Sequence, residues 1–494
     1  MKRLDLFIVA IVIIALFSNQ PASAAGQVTA QGTFRYYDRN STQVSSRYMN
    51  VYLYDHDLSG YDDLLATTTS NAQGFFQFIS LTNDDADDPT DPDRRLDLYV
   101  VWEADYADNG SNHHPVTNFS NQIYKWQSTT HTNAPDGTAD FTSVEVEPNK
   151  RPAMWIFQDL RNAWEYIRIH TSPQFDPGSV TAKWEDTRDC FLFEPFLCSS
   201  FFYVGAGGPF IFISNQNINS LDTIVHETGH HFMYNATDWW LWGDIGCYEH
   251  NLFSEEYPDC AWSEGWADFL PLTVNGDPCY DFGIGPCGAG SDPYENLETH
   301  TWNENQSLYP NGDGVEGRVA GALYDLFDNV NEGYDSAAFG FDPIADIVFH
   351  GAVEGTFSLF WSGWKTSGQN KHNAVRAIHQ NTIDYDTAPR FDPPLPDRIV
   401  LQNSPWIHAI ELWDYSNDDE SVDAELSFYI NYVSDTHCGI GVDNHWININ
   451  PQTGWLGVCD ATIRVNDSIY SGYDTFRVTV APVAARRYLP IIMR

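Results

Sequence analysis

His226-Glu-Thr-Gly-His-His231 is the stretch on which the reading of this chain turns. Its core is the spacing H-E-x-x-H, with His226 and His230 four residues apart and Glu227 beside the first. On a helix, residues four apart share a face, so both imidazoles can aim at one point. Two neutral imidazoles and one further donor make a three-ligand zinc site with an open position, the catalytic kind. Glu227 lies beside the pair, where it can take a proton from a water held in that position. His231 points about 100° away from His230 and is not expected to bind the metal. A histidine pair on a helix is more often an ordinary surface or core pair, so the flanking residues must carry the assignment.

The flanks predict a helix. Ser220 is the expected N-cap, and Asp222 sits in the first turn, where the helix dipole favours it. Leu221, Ile224, Val225 and Phe232 form an apolar stripe for the core and leave the histidines on a flanking face. Upstream, Pro209-Phe-Ile-Phe-Ile-Ser214 follows a Gly-rich turn and predicts a strand, expected to offer a sheet edge to an extended peptide.

A third ligand is needed further along. The extended pattern H-E-x-x-H-x-x-G-x-x-H is excluded, because Met233 and Ala236 stand where it requires Gly and His. The segment Trp262-Ser-Glu-Gly-Trp-Ala-Asp-Phe269 instead presents Glu264 and Asp268 four apart on one helical face. Glu264 can ligate the metal, and Asp268 can accept the remaining N–H of a ligand histidine. This order resembles the thermolysin-like zinc peptidases that use a glutamate as third ligand, the gluzincins. The resemblance covers the two motif helices and the region from about 150 to 392, with a longer gap between His230 and Glu264 than in thermolysin. It implies a zinc-dependent peptidase with a cleft between an α+β lobe and a helical lobe. Hydrolases of this kind place a Tyr or His near the developing oxyanion; Tyr324, His300 and His350 are the candidates. Trp239, Trp240 and Trp242, in the insertion before Glu264, are either packing or a rim that touches substrate.

Lys2 and Arg3, an apolar run from Leu6 to Phe17, and Ala22-Ser-Ala24 predict a cleaved secretory signal over residues 1–24. That run is short for a membrane span, and no later one approaches the length. With 25 Lys+Arg against 68 Asp+Glu, the net charge of -43 argues against nucleic acid or anionic membranes as partners. Eight cysteines in an exported chain predict disulfides, and sequence neighbours suggest Cys190–Cys198, Cys247–Cys260, Cys279–Cys287 and Cys438–Cys459. The second pair would clamp the insertion between His230 and Glu264.

Residues 27–148 alternate β-prone runs with polar turns, and Gly32, Val51-Tyr-Leu-Tyr-Asp55 and Gly74-Phe-Phe76 resemble transthyretin-like or carboxypeptidase-regulatory-like sandwiches. Asp55-His-Asp-Leu-Ser-Gly60 opens like a calcium loop, but Ala66 stands where a glutamate is needed, so a polar turn is the plainer reading. From Arg151 the period becomes helical; after residue 314 helices are predicted at 316–328, 343–353, 356–364 and 372–381. Prolines 393, 394 and 396 mark a linker. Beyond it, Glu411-Leu-Trp-Asp-Tyr415 and Ile449-Asn-Pro-Gln-Thr-Gly-Trp455 resemble cadherin-like, immunoglobulin-type sandwiches. Such modules often hold calcium in acidic turns, which would fall on Asp414, Asp418 and Glu420 here.

The expectation is therefore a multidomain chain: signal peptide (1–24), N-terminal β-sandwich (27–148), central α+β zincin-type peptidase domain with a mainly helical second lobe (149–392), C-terminal immunoglobulin/cadherin-like β-sandwich (397–482) and a tail (483–494). The expected activity is secreted zinc endopeptidase, with one catalytic Zn2+, Ca2+ as a further candidate and a protein or peptide substrate. Two rivals remain: a zinc hydrolase of a non-peptide bond, and a secreted adhesion protein with a degenerate peptidase domain. Nothing in the chain specifies an oligomeric state.

Overall fold

The computed structural model describes residues 26–58, 60–86, 94–108, 112–142, 144–145, 147–171, 175–185, 199–205, 208–237, 247, 250–281, 294–299, 301–302, 308–309, 311–351 and 355–483. The chain divides into two compact units. The first comprises the N-terminus to Tyr36, Gln43–Glu103 and Lys125–Val146; the second holds Tyr37–Thr42, Ala104–Tyr124 and everything from Glu147. The expected span 27–148 is thus not one continuous unit. Residues 104–124 belong with the second, because Val116–Thr117 pairs in parallel with Thr181–Lys183 there.

The first unit is built on the strand Gly26–Tyr37, which pairs antiparallel with Phe75–Asn83 and parallel with Gly137–Asp140 and Val144–Glu145. Its alternation buries Val28, Ala30, Phe34 and Tyr36, the period-two signature of a strand with one covered face. A second sheet runs in the order Lys125–Gln127, Leu98–Glu103, Asn50–Asp55, Asp63–Thr69. The sheets meet where Phe34 stacks on Trp102 at 4.7 Å and Phe76 meets the same indole edge-on at 5.6 Å. Asp55 ends its strand beside Asp57 and Asp85. Asp63 opens the next strand, paired with Asp55, so a turn joins the two strands as expected.

The second unit contains a four-stranded sheet in the order Phe201–Tyr203, Phe210–Phe212, Thr181–Lys183, Val116–Thr117. The expected edge strand, Pro209–Ser214, is an interior strand: Phe210–Phe212 pairs on both sides. Among the described residues the edge beside it is Phe201–Tyr203.

The helices are α1 (Arg151–His170), α2 (Leu221–Thr237), α3 (Pro258–Asn275), α4 (Glu316–Phe327), α5 (Phe341–Ala345), α6 (Phe357–Trp364) and α7 (Lys371–Gln380). A run of π-helix, Asp346–His350, continues α5. One core joins Trp164 of α1, Phe232 of α2, Trp262 and Trp266 of α3, Leu323 of α4 and Trp364 of α6. Two close approaches fix the stack. A Cβ on Gly229 would lie 3.3 Å from the Ala267 Cα, so α2 and α3 touch backbone to backbone there. A Cβ on Gly265 would lie 2.6 Å from Val319 Cβ and 2.7 Å from the Glu316 carbonyl oxygen, which seats α3 directly on α4. The Trp266 Nε1–H donates to the Gly229 carbonyl at 3.2 Å and locks the α2–α3 register.

After residue 390 the chain forms two more sheets. One has the order Arg398–Leu401, Ser471–Ala481, Gly457–Asn466, Ser427–Val433; the other has the order Trp406–Glu411, Trp446–Ile449, Ile440–Asp443. They share a core of Ile410, Phe428, Ile447, Ile463 and Phe476. The Cys438–Cys459 disulfide lies in this core. Asp414 is exposed in the turn Leu412–Asp414, whereas Glu420 is buried and accepts the Thr387 hydroxyl at 2.7 Å. No helix among the described residues is long and apolar enough to cross a membrane.

Candidate metal centre

Ser220 caps α2: its Oγ accepts the Thr223 N–H at 3.0 Å. Ile224, Val225 and Phe232 enter the core as their spacing predicts. The flanking face carries His226 and His230, but it is not open to solvent; α3 covers it, and both histidines and Glu264 are at most 8 % exposed. His226 Nε2 lies 3.2 Å from His230 Nε2. Glu264 Oε2 lies 3.1 Å from His230 Nε2 and 3.3 Å from His226 Nε2. The three donor atoms form a nearly equilateral triangle.

That triangle can be tested against a metal. Zinc with tetrahedral bonds of about 2.0–2.1 Å separates its ligand atoms by about 3.3–3.4 Å. The observed edges fall at or just inside this value. The protonation pattern agrees. Asp268 Oδ1 takes the His226 Nδ1–H at 2.9 Å, and Ser263 Oγ stands 3.3 Å from His230 Nδ1. A histidine that spends its proton on Nδ1 turns a bare lone pair inward at Nε2. With both Nε2 atoms deprotonated, two lone pairs and a carboxylate converge in a buried space that suits a cation. The donor set of two imidazoles and one carboxylate fits zinc, with a fourth position left for water.

Glu227 is buried next to the triangle, and burial pushes its carboxyl above the ordinary range. Among the described residues nothing hydrogen-bonds its carboxylate, so the carboxylate is available to a water on the substrate side.

Two residues at the site were not anticipated. Tyr280 places its hydroxyl 3.2 Å from His226 Nδ1, beside Asp268. His250 puts Nε2 3.8 Å from Glu264 Oε2 and Nδ1 2.8 Å from Glu316 Oε2. The Glu264 charge, aided by the Glu316 bond and opposed by burial, raises its pKa to about 10. Both stand next to cysteines. Tyr280 follows Cys279, which is disulfide-bonded, and His250 lies inside the loop closed by the Cys247–Cys260 disulfide. That bridge clamps the end of the insertion onto α3, as expected from the cysteine spacing, and so brings His250 to Glu264.

The remaining candidates lie elsewhere. Tyr324, on α4, is buried against Phe327 and feels the charges of Asp328 and Glu298. His350 is exposed and paired with Asp346 at 2.8 Å. His231 packs edge-on against Phe202, and burial lowers its pKa to about 4. His300, Trp239, Trp240, Trp242, Cys190, Cys198 and Cys287 lie outside the described residues, as do the signal segment and the tail from 484.

Residues 169–382 match the family model described as the Mycolysin C-terminal domain. That span contains α2, α3 and all three donors of the triangle. The match gives a secreted zinc metallopeptidase context. No curated protein matches the chain. Among solved structures, an endo-fucoidan hydrolase of glycoside hydrolase family 107 is 20% identical with a TM-score of 0.18, covering 20% of this chain and 14% of its own. A protocadherin gamma segment with extracellular cadherin domains 3-6 is 16% identical with a TM-score of 0.17, covering 20% of this chain and 28% of its own. A putative carbohydrate binding protein from Pseudomonas aeruginosa is 11% identical with a TM-score of 0.14, covering 24% of this chain and 91% of its own. Each is a partial likeness to a minor share of the chain.

Proposed function

We propose that this protein is a secreted zinc-dependent endopeptidase whose site residues are His226, His230 and Glu264 as ligands, Glu227 as general base and Asp268 as the group that orients His226. The observation that carries the reading is the triangle of donor atoms, with edges of 3.1, 3.2 and 3.3 Å, beside the buried Glu227, whose carboxylate nothing among the described residues hydrogen-bonds. The metallopeptidase context of the matched span supports it. A boundary between a peptidase domain ending at 392 and a cadherin-like sandwich over 397–482, with a transthyretin-like sandwich built from the strands of the first unit, belongs to the same reading.

Zinc bound by the three ligands would make a coordinated water acidic near neutral pH and polarise the carbonyl to be attacked. The chain's own groups do the rest. The Glu227 carboxylate takes the proton from the attacking water and hands it to the leaving amine. Burial favours that role, because a carboxyl raised from its ordinary value is a better base. Asp268 holds the His226 ring in the tautomer that presents Nε2, and Tyr280 backs the same nitrogen. His250, held between Glu264 and Glu316, is a cationic donor beside the ligands among the described residues and can offer an N–H to a developing oxyanion. Phe201–Tyr203, the sheet edge beside the metal helix among the described residues, offers backbone groups to an extended peptide.

The test pairs metal content with cleavage of a denatured general protein substrate. The expected result is about one zinc per chain, with activity lost to a chelator and restored by zinc. Glu227→Gln should keep the metal and lose on the order of 10²–10⁴-fold in turnover. Near-normal turnover in that variant would remove Glu227 from the mechanism. Zinc without peptide cleavage would shift the reading to another scissile bond.

A further inference from the structure

Glu316 is the first residue of α4 and is buried, only 4 % exposed. The helix dipole favours a carboxylate at that position, but a buried one still needs a partner. Among the described residues its hydrogen-bond partner is His250, whose Nδ1 lies 2.8 Å from Oε2. The backbone of Glu316 is pinned as well. Its carbonyl oxygen lies 2.7 Å from where a Cβ on Gly265 would stand, and Gly265 directly follows the ligand Glu264. One residue thus touches α3 beside a metal ligand and holds His250 at the same time.

The chain that follows His250 is tied to the start of α4 by its backbone. The Gly317 N–H donates to the Leu252 carbonyl at 3.2 Å, and the Glu256 N–H donates to the Gly314 carbonyl at 2.8 Å. A Cβ on Gly317 would lie 2.5 Å from the Leu252 oxygen, so a side chain there would push the loop away. The Cys247–Cys260 disulfide closes the same loop onto α3. The imidazole itself is not enclosed. The His250 side chain is 33 % exposed, and its Nε2 lies 3.8 Å from Glu264 Oε2. A partly exposed loop side chain loses rotamer freedom when it is held in one place. Here a buried carboxylate, two backbone bonds and a disulfide hold it, and they leave Nε2 turned toward the metal ligands.

We propose that Glu316 is a positioning residue of the metal centre: by taking the His250 Nδ1–H, it aims the opposite ring nitrogen at the oxygen of the carbonyl under attack. The proposal rests on the peptidase reading above and adds the group on which its oxyanion donor depends. Such a donor must stand within hydrogen-bond reach of the place where charge develops, with its orientation set before the reaction. His250 lies in a loop, so that orientation has to come from outside it. Glu316 supplies it from a helix seated on α3, which locates the donor and the ligand Glu264 from one frame. A purely structural ion pair would affect turnover with or without the imidazole. A positioning carboxylate acts only through His250.

The test is a double-mutant cycle on the zinc-loaded full chain, read as kcat and KM on a peptide taken from a cleaved protein substrate. His250→Ala is expected to lower kcat about 100-fold, the loss typical of one oxyanion donor. Glu316→Ala should lower it about 10- to 100-fold, with KM within about threefold and zinc content unchanged. Glu316→Gln, which can still accept the Nδ1–H but without the charge, should recover all but about fivefold. Beside His250→Ala, Glu316→Ala should change kcat by less than about twofold. The His250 ring-proton NMR signal, identified by its absence in His250→Ala, gives a readout independent of turnover. It should vanish in Glu316→Ala and persist, shifted, in Glu316→Gln. Native turnover in Glu316→Ala, an equal loss in both backgrounds, or an unchanged ring-proton signal would overturn the proposal. Should Glu316→Ala fail to fold, Glu316→Gln carries the cycle: a loss of about fivefold is expected alone and none beside His250→Ala, and equal losses would overturn it. A native chain that binds zinc but cleaves no peptide would fail the peptidase reading, and this proposal with it.

Discussion

Asp268 is the sharpest place to test the metal centre, because it touches a ligand without being one. Its Oδ1 accepts the His226 Nδ1–H at 2.9 Å in a buried setting, and among the described residues its Oδ2 has no hydrogen-bond partner. A short bond from a neutral ring to a buried carboxylate is charge-assisted and raises the basicity of Nε2. Asp268→Asn keeps the shape and an oxygen that can still accept, but it removes the charge. Partners of this type contribute about 10- to 100-fold in metal affinity, or about 1.4–2.7 kcal/mol. Asparagine should fall near the lower end and Asp268→Ala near the upper. Tyr280 supplies an internal control, since its hydroxyl approaches the same nitrogen at 3.2 Å without a charge. Tyr280→Phe alone should change affinity by less than about threefold, in line with a neutral hydrogen bond. Combined with Asp268→Ala, it should cost more than the sum, because the hydroxyl can take over the Nδ1–H when the carboxylate is gone. The assay is competition for zinc against a chromophoric chelator at neutral pH. Zinc affinity in Asp268→Asn and Asp268→Ala indistinguishable from the native chain would refute both the ligand triangle and its support.

Gly265→Ala should destabilise the chain by about 1–3 kcal/mol, since the new methyl meets a backbone carbonyl at 2.7 Å that cannot swing aside. Chemical denaturation checks it, and native stability in the variant would mean that α3 and α4 do not touch as described. Replacing Cys438 and Cys459 together by serine opens a loop with a sequence separation of 21 and should cost about 3 kcal/mol. Calorimetry should show that loss; an unmoved thermal profile would contradict it. A group of carboxylates at the C-terminal end of α4 sets a pH dependence. Burial, with repulsion from Asp328 and Glu332, raises Glu298 from 4.5 to about 8. Burial, with repulsion from Glu332 and Asp328 and an opposing pull from Arg376, raises Asp335 from 3.8 to about 7. Asp325 and the Tyr324 hydroxyl face the same group. The folded chain therefore keeps protons that the unfolded chain releases, and its stability should fall as pH rises from about 4.5 to about 8. Melting curves across this range decide it; stability that does not fall as pH rises would refute it.

What could be read from the sequence followed from local periodicity. H-E-x-x-H and E-x-x-x-D each describe one face of one helix, so spacing alone brought His226, His230, Glu264 and Asp268 forward, and the Ser220 cap was a three-residue signal. The sheet was less legible. Pro209–Ser214 was expected at an edge, but Val116–Thr117 joins that sheet from far up the chain and Phe201–Tyr203 covers its outer side. A strand's neighbours are non-local, and the hydrophobic pattern of Phe210-Ile-Phe212 is the same at an edge or inside.

His250 and Tyr280 escaped for the same physical reason. Neither lies in a periodic element with the metal ligands. His250 reaches Glu264 because a disulfide ties Cys247 to the start of α3 and because Gly265 lets α4 carry Glu316 up against α3. Each of those causes is visible in the sequence as a cysteine or a glycine, but only their conjunction in space makes a site. The acidic pocket at the far end of α4 is the same case. Glu298 and Glu332 are 34 positions apart, and nothing periodic connects them. Their meeting depends on Asn381, which donates to Asp325 and accepts from the Trp302 indole, pinning the end of α7 beside the end of α4. Sites assembled by such tertiary clamps leave no spacing rule behind.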